Sequence, residues 1–145
     1  MNAEGRPLPG YWRLRPRAPA PGTTLGPLDA IPEAGAREYR FGRGKSAFSM
    51  FVVRRGDRVY GYVNICPHYS SALNCRENAF LNDAGTLIRC SAHFAEFRIE
   101  DGFSVAGAAE NCWLDPVPVE VVGRTIRIRP LPDSSDAVVT RARSP

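Results

Sequence analysis

Cys66 and His68 stand in Asn64-Ile-Cys-Pro-His68, and Cys90 and His93 stand in Cys90-Ser-Ala-His93. Two short segments therefore each offer one thiolate and one imidazole. Sulfur and ring-nitrogen donors on loops are the ligands of zinc and of iron–sulfur clusters. The order of the donors separates these options. Structural zinc sites usually keep like ligands together, two cysteines in one knuckle and two histidines in the other, whereas here each segment mixes them. The chain has only two histidines, and both lie in these segments. Zinc held by the same four residues is the competing reading, and a colourless protein would mark it.

The pattern extends beyond the four donors. Phe80-Leu-Asn-Asp-Ala-Gly85, Ile88-Arg-Cys-Ser-Ala-His93, Ala95-Glu-Phe97, Gly102 and Pro116-Val-Pro-Val119 follow one another in an order that resembles the Rieske family, from Glu38 to Arg129. The resemblance implies a [2Fe–2S] cluster, with Cys66 and Cys90 on one iron and His68 and His93 on the other, outer iron. It also implies a Rieske-like antiparallel β sandwich with a cluster-binding subdomain of two loops. Rieske domains occur as small ferredoxins and as the front part of large oxygenases. The oxygenases need a further mononuclear iron on two histidines and a carboxylate, and no histidines are left for one here. The expected role is that of an electron carrier and not an enzyme. It would take one electron from a reductase, flavin-dependent or other, and pass it to a terminal oxygenase or similar acceptor. A redox-sensing or structural accessory subunit of a multicomponent oxidoreductase is the alternative.

Two departures from the family pattern carry consequences. High-potential Rieske proteins have a second loop resembling C-x-C-H-G-S-x-Y, whose serine and tyrosine hydroxyls bond to sulfur and whose extra cysteine joins the first loop by a disulfide. Here those positions are Ala92, Ala95 and Phe97, and Ser71 replaces the first-loop cysteine. Hydrogen bonds to the sulfurs raise the potential, so a low potential is expected. The second departure is Phe94, where the family usually has glycine after the second histidine. It reads as a hydrophobic cover beside His93.

The 145 residues, 43% of them hydrophobic, suit one core. No apolar run reaches the length of a membrane span and no apolar leader follows the N-terminal basic residues, so a cytoplasmic protein without a membrane anchor is expected. Cys75 and Cys112 fall outside the ligand pattern and read as partly buried thiols; spacing does not decide whether they pair. Arg6, Arg13, Arg15 and Arg17 against Glu4 place most of the net charge of +4 in the first seventeen residues. That density falls short of a nucleic-acid patch and reads as a solvated arm.

The elements that must position the donors are short strands. Residues 1–35 hold seven prolines, which exclude a regular helix, and read as an extended or mobile N-terminal arm. Docking of Tyr11, Trp12 and Leu14 on the domain is left open. Residues 36–130 form the expected cluster domain and 131–145 a polar tail. β-branched and aromatic runs predict strands at Glu38–Phe41, Ala47–Arg54, Arg58–Asn64, Thr86–Arg89, Ala95–Glu100, Val117–Val122 and Thr125–Arg129. The last two flank Gly123-Arg124 as a hairpin turn.

Overall fold

The computed structural model describes residues 7–8, 10–67, 72–74, 77–90, 95–106 and 112–131. Ten strands build three antiparallel sheets. They are β1 (Thr24–Pro27), β2 (Ala36–Phe41), β3 (Phe48–Arg55), β4 (Arg58–Val63), β5 (Leu87–Arg89), β6 (Glu96–Arg98), β7 (Ser104–Ala106), β8 (Pro116–Val117), β9 (Val119–Val122) and β10 (Thr125–Ile128). The sheet orders are β1-β10-β9, β2-β3-β4-β8 and β5-β6-β7. Mainly β architecture is thus observed, and the seven expected strand segments all contain strand.

β3 explains the layering. A strand buried on both faces reads as a continuous apolar run, because successive side chains point to opposite sides. In Phe48-Ser-Met-Phe-Val-Val53, the side chains of Phe48, Met50 and Val52 enter one core, with Ile126 and Ile128 of β10 and Val119 of β9. Those of Phe51 and Val53 enter a second core, with Ile88 of β5 and Phe97 of β6. The central sheet is therefore covered on both sides. Phe51 stacks on Phe80, with centroids 4.3 Å apart and planes 9° from parallel, which fastens the small third sheet to the centre.

Turn chemistry sets the registers. Gly123 adopts φ 64° in the β9–β10 hairpin, where Val122 pairs with Thr125 across the two-residue turn expected from the sequence. Gly102 has φ 77°, and a Cβ there would meet Tyr62 Cε1 at 2.8 Å and Leu114 Cβ at 3.1 Å. The glycine lets Tyr62 lie flat under the third sheet, where its hydroxyl donates to the Ile99 carbonyl at 2.6 Å.

The N-terminal residues depart from the expected mobile arm. Tyr11–Leu14 form a 3₁₀ turn, Thr24–Pro27 pair with β10, and Trp12, Leu28 and Ile31 are buried in the first core. Trp12 packs edge-on against Phe48, with centroids 6.3 Å apart, while Leu14 stays exposed. Proline forbids a long helix but tolerates tight turns and an edge strand, so a proline-rich stretch can still fold onto a sheet. Arg54 of β3 is buried beneath it. Its Nη1 donates to the Ile31 carbonyl at 2.8 Å and its Nε to the Gly56 carbonyl at 2.7 Å.

Arg15 and Arg17 are correspondingly not part of a solvated tail. Arg15 Nε lies 2.8 Å from Asp115 Oδ2, and Arg17 Nε donates to Ser46 Oγ at 3.1 Å. Burial pushes the Asp115 carboxyl above its usual range, and the hydrogen bond and charge of Arg15 only partly oppose this. A raised pKa in the folded state means that folding favours the protonated form. The group's contribution to stability is therefore greatest below the ordinary aspartate value and falls as pH rises through the raised one. We expect the melting temperature of Asp115→Asn, relative to wild type, to climb across that interval. A difference independent of pH would contradict it.

Candidate metal centre

The first loop leaves β4 at Asn64, passes through Cys66 and Pro67, and returns at residues 72–74. Asn64 holds its two ends together. The buried Asn64 Oδ1 accepts from the Leu73 backbone N–H at 2.8 Å, and its Nδ2 donates to Asn74 Oδ1 at 2.9 Å and to Ser49 Oγ at 3.1 Å. Ser49 of β3 in turn donates to Glu38 of β2. A chain of hydrogen bonds thus ties the loop to two strands of the central sheet. Short Asn side chains close turns by such bonds to nearby backbone, and this is the signal that Asn64 carries in the sequence.

The second loop is the tip of the β5–β6 hairpin. Arg89 pairs with Glu96, and the Cys90 N–H donates to the Ala95 carbonyl at 2.8 Å. Cys90 and Ala95 thus face each other across the base of the loop. A further bond, from the Arg89 N–H to the Phe80 carbonyl at 2.8 Å, docks the hairpin on the segment that leads into it.

Cys66 and Cys90 are both fully buried and belong to the same core, with Leu73, Phe80, Ile88, Ala95 and Phe97 around them. The structure thus brings the two cysteines into one apolar region at the bases of two loops. His68 and His93 lie outside the described residues, as do Ser71, Cys75, Ala92 and Phe94. Cys112 is partly buried against this core, in keeping with a packing thiol. Two buried thiols in an apolar wall suit a metal–sulfur group, since such a shell limits solvent access and tunes the bound metal. Ala95 and Phe97, at the two hydroxyl positions of high-potential relatives, are wholly buried here.

Three antiparallel sheets packed around two cores, with a buried cysteine at the base of each of two loops, define the class of this β module. The family model for the Rieske [2Fe-2S] domain matches residues 29–126. The chain belongs to this family, whose domain binds a [2Fe–2S] cluster. Among solved structures, the chain is similar to the ferredoxin of carbazole 1,9a-dioxygenase from Nocardioides aromaticivorans IC177, at 21% identity and a TM-score of 0.61. That match covers 77% of this chain and 100% of the ferredoxin. Similarity to the Sphingomonas yanoikuyae B1 ferredoxin is 20% in identity, with a TM-score of 0.56, over 76% of this chain and 99% of that one. A chain from the complex of reduced oxygenase and oxidized ferredoxin in carbazole 1,9a-dioxygenase matches at 20% identity and a TM-score of 0.56, over 73% and 90%. No curated protein matches in sequence. Among the described residues, no helix is long and apolar enough to cross a membrane.

Proposed function

We propose that this chain is a soluble Rieske-type ferredoxin that carries one electron from a reductase, flavin-dependent or other, to a terminal oxygenase or similar acceptor. The observation that carries the reading is the burial of Cys66 and Cys90 in one core, at the bases of two loops whose sequences also supply His68 and His93. Bound there, the cluster would supply a one-electron couple. Cys66 and Cys90 would hold one iron as thiolates inside the apolar wall. His68 and His93 would hold the other as neutral imidazoles on the outer side, removing two negative charges relative to four cysteines. Asn64 ties the described ends of the first loop together, and the Cys90–Ala95 bond closes the base of the second.

The sequence has two histidines, and in the proposed arrangement both would serve the cluster.

The test is an absorption and EPR spectrum of anaerobically purified protein, before and after dithionite, with iron and sulfide analysis. A carrier gives equal iron and sulfide and a signal that appears on one-electron reduction; a colourless zinc protein would end the reading. Protein-film voltammetry is expected to place the potential near the bottom of the Rieske range of roughly −150 to +300 mV, because alanine and phenylalanine donate no hydrogen bond to sulfur. A value above the middle of that range would refute the argument from Ala92, Ala95 and Phe97.

A further inference from the structure

A cleft of about 440 Å³ opens beside the first loop, and its lining includes Val63, Asn64, Ile65 and Ala72, the residues that lead into and out of the Cys66 segment. The lining also includes three cations, Arg15, Arg40 and Lys45. Arg17 reaches the same turn through Ser46, and Arg43 lies within it. Three cations thus line the cleft and two more, Arg17 and Arg43, adjoin it through the Gly44–Ser46 turn; Arg17, Arg40, Arg43 and Lys45 are exposed. The carboxylates nearby point the other way. Asp115 is buried against Arg15, while Glu38 is largely buried and accepts from Ser49, Arg40 and Asn74. These two carboxylates offset Arg15 and Arg40, so the net positive charge of the rim comes from the exposed Arg17, Arg43 and Lys45.

On this basis, and resting on the carrier reading above, we propose that the cleft is the docking site for an acidic segment of the redox partner. Carboxylate side chains would meet the rim cations while apolar ones reach the Phe48 and Ile65 floor. Charge on such a rim steers encounter and orients the partner. Here it would bring an acceptor or donor against the loop that carries Cys66 and His68. The N-terminal segment is part of this surface, since Arg15 and Arg17 belong to it.

The experiment uses the intact, cluster-loaded protein and reduced flavodoxin, an acidic one-electron carrier, as the probe in stopped-flow mixing. Arg43→Glu/Lys45→Glu is compared with Arg55→Glu/Arg58→Glu, an equal charge change at the far end of β4. The first pair is expected to slow the second-order rate about tenfold at low salt and to flatten its dependence on ionic strength, with the second pair close to wild type. Equal rates and equal salt slopes for both pairs would overturn the docking site alone. Saturable inhibition by micromolar inorganic phosphate, lost in the first pair, would assign the cleft to a small anion and overturn it too. If dithionite produced no reduced-cluster signal in wild type, the carrier reading itself would fall, and the docking site with it.

Discussion

Cys90→Ala is expected to purify nearly colourless, with iron and sulfide below about a tenth of the wild-type content and no EPR signal on reduction. The size of the effect follows from where the sulfur sits. Cys90 is fully buried at the base of the β5–β6 tip, so water is shut out from the place of the missing ligand. In the proposed arrangement one iron would keep a single protein thiolate. Cys66→Ala should behave alike, because its sulfur lies in the same core. Cys112→Ala should keep its colour, since that thiol is only partly buried and stands outside the ligand pattern. Metal binding contributes to folding, so circular dichroism of each variant is needed to show that the sheets persist. A coloured, reducible Cys90→Ala would show that the ligand set is wrong.

Trp12→Ala is expected to lower stability by about 3–5 kcal/mol, the usual loss for deleting a buried large aromatic. Trp12 is 1% exposed and packs against Phe48, with Leu28, Ile31 and Ile126 in the same core. That core lies on the opposite face of β3 from the one that contains Cys66 and Cys90. The variant should therefore unfold at lower denaturant concentration while retaining iron and sulfide at native pH. Removing residues 1–22 should weaken the fold by at least as much, as it takes Trp12 and the Arg15–Asp115 pair together. A loss under about 1 kcal/mol for Trp12→Ala would mean that the site collapses around the cavity or that the segment adds little.

The two experiments separate what the two faces of one strand do. Met50 and Val52 serve the core that anchors the N-terminal segment, and Phe51 and Val53 serve the core of the cysteines. Their alternation is written in the sequence as an unbroken apolar run. The run predicts a strand, yet it does not say which partner covers each face, because period-two patterning carries no information about what lies opposite.

The strands, the hairpin at Gly123 and the ligand segments were legible in the sequence because each depends on neighbours within a few residues: β-branched runs, a turn glycine, a Cys-x-His and a Cys-x-x-His. Asn64 was within reach of the same reasoning, since its two bonds within the loop span only nine and ten residues. The N-terminal segment was not. Arg15 meets Asp115 a hundred positions away, Arg54 meets Ile31 across 23, and β1 pairs with β10 from the other end of the fold. Proline content describes local backbone freedom, and it is silent about contacts of that range. The sequence by itself determined the donor types, their order and the β character of the chain. Only the tertiary structure decided that Trp12 is a core residue, and that Arg15 joins Arg40 and Lys45 in lining one cleft. Burial and charge clustering are sums over residues distant in sequence, and they exist only once the chain has folded.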